Sequence, residues 1–549
     1  MDCVPWRVAL IGALVAALGT LPGLGAGTLW DNSETTYGEV AREILIGHDW
    51  IVMHLDGDPW FVQPPLYFWI AASFAQLLGV TEFAVRLPSA LATIATSAVL
   101  GYAVARVANP RAGLFASVVL SSALMQAVVG RLAIMDALLD CGVAIAILGC
   151  FGALATGSRR AWYAAWVALG LATLAKGPVA PVAVLLVIGP WMLWEWRSQR
   201  RLAAPGALDW FGGIASFAAI VLPWTIALAH AAGFAALGEL FGHYTFGRYV
   251  GTIENQGGPI WYYVPVLVLG FFPWFAFLIP ASLEAGRAAE ADAEGSLWRL
   301  ALAWTIVPFA FFSLANTKLP NYIALELPGP AILVALWFDG VAERDDRRAA
   351  LAWSALVPIT IGLLAFGVAI FSSTNRLSAD LAPLRLDLAL LGLVMFVGSA
   401  VCFGLLLARA SAWLAPFALG AASLGALSIG ALVVEPAVER FKPIPQLAAI
   451  IERERRPGDV VGIQSVSGGQ ALTFYTQPVV AHLDGPFEQP PGAASDPRRL
   501  VCSAARAFVV SKTVWAKPYP TYGRTRRVLA VSNQDVLYLF DGPPCNGSD

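Results

Sequence analysis

Apolar residues in this chain come in long runs, and charged residues fall mostly in the gaps between them. A helix crosses a bilayer with about 20 apolar residues, and on that rule the runs predict about thirteen membrane spans. They centre near 8–29, 87–107, 114–129, 134–155, 162–175, 179–194, 210–229, 261–281, 300–315, 322–338, 351–371, 386–407 and 413–434. The first has one arginine at position 7 and no A-x-A cleavage site after it, so it reads as a retained signal anchor.

Two stretches break this pattern. In the first gap, 30–86, Tyr37, Val40, Ala41, Ile44, Leu45 and His48 follow helical spacing, while Glu39, Arg42 and Glu43 take the opposite side. That predicts an amphipathic helix along the membrane surface with its charged side in water. Pro64 and Pro65 then set a rigid turn before a second surface helix. From about 435 onward the long runs stop. An amphipathic helix is expected at 443–455, ended by Pro457 and Gly458. Strands are expected at 459–466, 477–483, 507–511, 527–531 and 536–540, with a helix at 469–476. The expected fold is a polytopic α-helical membrane domain, 1–435, with interfacial helices in the first external loop. A small external α/β domain, 436–549, follows it.

Composition agrees. Of 549 residues, 58% are hydrophobic and 13% charged, against about 25% charged in an ordinary soluble domain. This excludes a disordered chain, and a formal net charge of -2 gives no basic footprint for nucleic acid. Of the six cysteines, only Cys502 and Cys545 fall in the expected external domain; a bridge between them and two free thiols both remain open.

Charge placement narrows the function. The paired arginines Arg159–Arg160, Arg200–Arg201 and Arg347–Arg348 all fall on one side when the N-terminus is cytoplasmic, as the positive-inside rule requires. The other side collects a different set. Asp31 and Glu34 stand before the first-loop helix, either as a capping box or as a general base on an acceptor hydroxyl. The chain has only five lysines, and the two in the membrane half, Lys176 and Lys318, each sit at an external span end before a proline turn. They can snorkel to the interface or bind phosphate as point charges. Arg131 and Asp136 lie between two spans, as a structural pair or as site groups, with Asp140 one turn further on. The loop expected at 230–259 carries Arg248 and is long enough for a lid. No His, Asp or Glu cluster has metal-ligand spacing; no cofactor is expected, with a divalent cation left open. One face thus carries cations for a departing lipid phosphate and carboxylates for an acceptor.

These residues stand in stretches that resemble the C-class (GT-C) lipid-phosphate-dependent glycosyltransferases, specifically the lipid A aminoarabinose transferase and protein O-mannosyltransferase-like family. The stretches are Glu34-Thr-Thr-Tyr37-Gly-Glu39-Val-Ala-Arg42-Glu43, Pro64-Pro65-Leu66-Tyr67-Phe-Trp69, and Arg86-Leu-Pro88-Ser89. Further along come Gly130-Arg131 through Asp136, Lys176-Gly177-Pro178, Arg248, Gly258-Pro259-Ile-Trp-Tyr-Tyr, and Thr317-Lys318-Leu319-Pro320-Asn321-Tyr322. The resemblance implies transfer of a sugar from a polyprenyl-phosphate donor, with inversion, to a membrane lipid, glycan or protein acceptor at the outer face of the inner membrane. It makes Asp31 and Glu34 the catalytic candidates. Lys176, Arg248, Lys318, Tyr322, Arg131, Asp136 and Tyr37 become the donor-phosphate or substrate-binding candidates. The family's Asp-Glu-x-Arg-Tyr reads Ser33-Glu34-Thr35-Thr36-Tyr37 here, and its lysine before Pro-Pro-Leu is Gln63. Two other classes stay open: a flippase of lipid-linked sugars, which wants ionisable groups near the midplane, and an inactive scaffold.

Overall fold

The computed structural model describes residues 3–30, 33–198, 200, 202–247, 251, 257–287, 292–343, 357, 360, 385–408, 412–464, 466, 469–476, 480–483, 497–512 and 520–543. The chain divides into two compact units. One holds Met1–Leu24, Phe61–Tyr67 and Arg86–Val434, and the other holds Gly25–Trp60, Phe68–Val85 and Glu435–Asp549. The expected cut near 435 is therefore one edge, and most of the first loop groups with the C-terminal part.

The first unit is helical. Among the described residues, seven helices are long and apolar enough to cross a membrane, or ten if each of three bent pairs is one span. The bent pairs are Pro110–Ser122 with Leu124–Arg131 (62°), Tyr263–Gly270 with Phe275–Gly286 (104°), and Pro320–Glu326 with Pro328–Val341 (50°). The expected runs 114–129, 261–281 and 322–338 straddle these breaks. Pro273 and Pro328, which lack the N–H a continuing helix needs, stand at two of them. The run at 8–29 yields a shorter helix, Cys3–Thr20, and the run at 351–371 lies outside the described residues except Val357 and Thr360. The loop expected from 230 is instead helical: Ala207–Leu237 runs on into a π-helical stretch, Gly238–Gly247, kinked only at Gly233.

Several arginines of this unit, Arg159 of the expected cytoplasmic set among them, are ion-paired within it. Arg299 meets buried Glu195 at 2.7 Å, Arg159 meets Asp209 at 2.7 Å, and Arg111 pairs with Asp339.

In the second unit, β1 (His54–Leu55) and β2 (Asp58–Pro59) form a hairpin whose two-residue turn, Asp56-Gly57, has positive φ at both positions. The larger sheet contains β3 (Val460–Gln464), β4 (Ala481–Leu483), β5 (Arg506–Lys512), β6 (Thr525–Ser532) and β7 (Asp535–Asp541) in the order β4-β3-β5-β7-β6. The β3–β4 and β3–β5 pairings are parallel; β5–β7 and β6–β7 are antiparallel. Both faces of β5 are buried. Phe508 and Val510 pack with Leu537, Leu539 and the stripe Ile444, Leu447, Ala448, Ile451 of helix Pro443–Glu454. Ala507 and Val509 pack with Leu500, Val501, Tyr538 and Phe540. Each such large side chain stabilises by about 1.5–3 kcal/mol. Cys502 is disulfide-bonded, and Cys545 lies outside the described residues.

Candidate functional site

Helices Asp136–Thr156 and Arg159–Lys176 are antiparallel neighbours. Gly157, with φ 72°, ends the first in a left-handed cap, and the Ser158 Oγ accepts from the Ala161 N–H to start the second. The helices approach closely, since a Cβ on Gly142 would stand 2.7 Å from the Ala172 Cβ. The hairpin therefore returns Lys176, the last residue of one helix, to Asp136, the first of the other. Their salt bridge is 2.5 Å long. A carboxylate at a helix start and an ammonium at a helix end each also complement the local dipole. The Lys176 Nζ lies 5.0 Å from the Tyr322 ring centroid, a cation–π contact. Thus three candidates far apart in sequence, Asp136, Lys176 and Tyr322, form one cluster.

Arg131 was weighed as the partner of Asp136, but its guanidinium donates to the Thr20 and Pro22 carbonyls at 3.0 and 2.6 Å. The Thr20 carbonyl ends helix Cys3–Thr20, whose last C=O groups lack intrahelical partners, and the Pro22 carbonyl lies in the turn that follows. Lys318 is 5% exposed. Its ammonium donates to the carbonyls of Ser313, at 2.9 Å, and Ala315, and lies 5.9 Å from the Tyr263 ring. Burial lowers its pKa. Two buried carboxyls add to this unit: the Asp140 Oδ2 and both oxygens of Glu326 have no hydrogen-bond partner among the described residues. Glu326 sits at the break of the third bent pair and went unnoticed in the sequence, where it is one acid in an apolar stretch.

The second unit holds the first-loop candidates. Helix Glu34–Gly47 starts without a side-chain cap from Ser33. Glu34 is buried and its Oε2 accepts from the Trp30 N–H at 2.9 Å. This differs from the expected capping box, while Asp31 lies outside the described residues. Tyr37 makes edge contacts with Trp60 and Phe68, at 6.2 and 5.9 Å between centroids. The side of this helix expected in water is largely covered: Glu39 and Arg42 are buried and Glu43 is half-buried. The Glu39 carboxylate accepts from the Arg42 Nε at 2.8 Å, and Glu43 accepts from the Gly57 N–H at 3.2 Å. Burial raises the pKa of Glu39 against the pull of Arg42, and burial with the adjacent Glu39 charge pushes Glu43 up to about 7. The sequence signal for this cluster was present in the charges Glu39, Arg42 and Glu43; their partner turn at Asp56-Gly57 was not. Arg248 lies outside the described residues. Among the described residues, no three His, Cys, Asp or Glu side chains converge as metal ligands.

Residues 62–226 match the dolichyl-phosphate-mannose-protein mannosyltransferase family. The undecaprenyl phosphate-alpha-4-amino-4-deoxy-L-arabinose arabinosyl transferase of Erwinia tasmaniensis is 32% identical over 65% of this chain. That match covers 64% of the Erwinia protein, just under two thirds of its length. The protein of the same name from Pseudomonas aeruginosa is 31% identical over 70% of this chain and 69% of its own. The crystal structure of ArnT from Cupriavidus metallidurans bound to undecaprenyl phosphate superposes with a TM-score of 0.82 at 22% identity. That superposition covers 97% of this chain and 98% of the other, so the two share a fold. The chain belongs to the family of the undecaprenyl phosphate-alpha-4-amino-4-deoxy-L-arabinose arabinosyl transferases.

Proposed function

We propose that the protein moves a sugar from a polyprenyl-phosphate carrier to a lipid, glycan or protein acceptor at the outer face of the inner membrane. The names of its relatives make the aminoarabinose carrier the first donor to test. The observation that carries this reading is the Lys176–Asp136–Tyr322 cluster, in which a compact cation is held at a helix end by one carboxylate and one ring face. A donor phosphate replaces Asp136 as the anion on Lys176, and Arg248 and Lys318 add positive charge. The bond between the anomeric carbon and the phosphate oxygen breaks as the acceptor oxygen attacks from the opposite face. The phosphate leaves with the electron pair, and fixed cations stabilise it. A carboxylate of the first loop, Glu34 or Asp31, takes the acceptor proton; Tyr37 and Arg131 are further substrate-binding candidates.

The same proposal includes about thirteen spans, a cytoplasmic N-terminus and an external α/β domain at 436–549. It invokes no cofactor, and transfer with and without excess EDTA decides whether a divalent cation takes part. Ser33, Thr36 and Gln63, which replace an acid and two cations of the family pattern, favour the inactive scaffold instead. Mass spectrometry of surface glycans and lipid-linked sugars in a deletion strain separates the two. Loss of a sugar from the acceptor, with its polyprenyl-phosphate form accumulating, supports transfer; both pools unchanged overturns it.

A further inference from the structure

Between the end of helix Cys3–Thr20 and the start of helix Glu34–Gly47, residues 28–30 run without helix or strand. Four of their backbone groups are nonetheless satisfied by side chains. The Thr28 N–H and hydroxyl both donate to Glu439, at 3.1 and 2.5 Å. The Thr28 carbonyl accepts from the Lys442 Nζ at 2.7 Å. The Leu29 N–H donates to the Tyr475 hydroxyl at 2.8 Å, and that hydroxyl donates onward to Glu82 at 3.0 Å. The next N–H, that of Trp30, goes to Glu34 itself at 2.9 Å. The Lys442 ammonium also lies 4.1 Å from the Trp30 ring centroid and 2.8 Å from Glu439.

Three of these side chains come from the C-terminal part of the same unit. Tyr475 stands on helix Gly469–Thr476, whose Ala471 and Leu472 are buried in the sheet's core. Glu439 and Lys442 precede helix Pro443–Glu454, which packs on the same sheet face. The fit beside them is tight: a Cβ on Gly38 would stand 3.1 Å from both the Leu29 Cδ1 and the Phe474 Cε2. A chain without regular structure would ordinarily leave such groups to water. Here side chains on the sheet's flank take three of them, and the next N–H, that of Trp30, is bonded to Glu34.

We propose that Glu439, Lys442 and Tyr475 are positioning residues for the transfer reaction: they hold the strap Thr28–Trp30 and through it set the carboxylate of Glu34. This rests on the reading of Glu34 as a first-loop base. It gives the C-terminal sheet a role in the chemistry without contact to the substrate. A misplacement of about 1 Å in a catalytic group costs on the order of a hundredfold in rate, so a short strap with four pinned backbone groups is a sensitive place to act.

The test uses the full chain in nanodiscs, with undecaprenyl-phosphate aminoarabinose as donor and lipid A as acceptor. Tyr475→Phe removes one oxygen, Glu439→Gln one charge, and Lys442→Met the ammonium but not the stem. Each is expected to lower kcat about tenfold or more while donor KM stays within about twofold, because the substrate contacts remain. Amide exchange in a peptide covering 28–35 is expected to speed up about tenfold in the same variants. Lys442→Arg, which keeps charge and ring contact, is expected to recover most of kcat. If these variants keep wild-type kcat, or leave exchange over 28–35 unchanged, while Glu34→Gln is inactive, the proposal is overturned. If Glu34→Gln transfers at full rate, the reading of Glu34 fails and the proposal with it, and that result appears in the Glu34 variant alone. Tyr475→Phe, the smallest change, keeps the test decisive should Glu439→Gln fail to fold.

Discussion

Two buried ionic clusters, one in each compact unit, are built on opposite plans. In the first, one ammonium, Lys176, bonds one carboxylate, Asp136, and faces one ring, with the buried Asp140 interacting only through its charge. In the second, one guanidinium, Arg42, interacts with Glu39, Glu43 and Asp56. The first is balanced in its direct contacts: one anion bonds the cation, so an incoming phosphate can take that anion's place. The second carries surplus negative charge, which burial turns into proton affinity at Glu39 and Glu43. Buried charges must be paired, protonated or liganded, and the ratio of acids to bases decides which.

The largest expected effect follows from removing the one partner in the balanced cluster. Asp136→Ala leaves Lys176 without its carboxylate, and breaking such a pair costs about 3–5 kcal/mol. Thermal unfolding in detergent measures it. Added undecaprenyl phosphate should restore part of the loss if Lys176 takes a phosphate; no recovery at saturating lipid removes Lys176 from the donor site. The crowded cluster should yield less. Glu39→Gln keeps a hydrogen-bond acceptor, and Glu43 and Asp56 still face Arg42, so the cost should be about 1–2 kcal/mol. A loss equal to that of Asp136→Ala would mean the two plans do not differ.

A smaller effect distinguishes the clusters by pH. Glu43 is raised from 4.5 to about 7, by burial first and by the neighbouring Glu39 charge second. The folded state therefore binds this proton more tightly than the unfolded chain does. Its contribution is fully present below about pH 4.5 and is lost as pH rises through about 7. The charged groups facing Glu43 are Glu39 and Arg42 on its own helix and Asp56 in the hairpin turn. Amide protection over 54–59, corrected for intrinsic exchange, should be several-fold greater at pH 5 than at pH 8, and Glu43→Gln should flatten that dependence. A wild-type profile as flat as that of the variant would remove the surplus-charge account.

What the sequence made legible follows the range of the interactions. The expected strands at 507–511, 527–531 and 536–540 lie inside β5, β6 and β7, because alternation and turn residues are local signals. Helix Glu34–Gly47 was equally visible, yet its charged side faces inward: what covers Glu39, Arg42 and Glu43 includes the turn at Asp56-Gly57, which the helix's own spacing does not contain. The cations Lys176 and Lys318 stood out by residue type. Their environments did not, since Asp136 lies 40 residues from Lys176 and the carbonyls around Lys318 belong to a helix end that has no side-chain signature. The carbonyls that Arg131 meets, at Thr20 and Pro22, lie more than a hundred residues away and have no side-chain signature either. The helix through 230–247 was missed because glycine and histidine within an apolar stretch read as loop.

The smallest effect separates the ring from the carboxylate within the balanced cluster. Tyr322→Phe and Tyr322→Leu both lack the hydroxyl, so their difference isolates the ring face beneath Lys176. A partly buried ammonium on an aromatic face gains about 0.5–1 kcal/mol. Tyr322→Leu should therefore unfold more readily than Tyr322→Phe by about that amount, and in Asp136→Ala the gap should widen, because the ring then carries more of the contact with the charge. A gap that stays the same with and without Asp136 means that ring and carboxylate act independently. Lys176 is then held by its helix end rather than by a shared cluster, and the contrast with the crowded site around Arg42 rests on acid count alone.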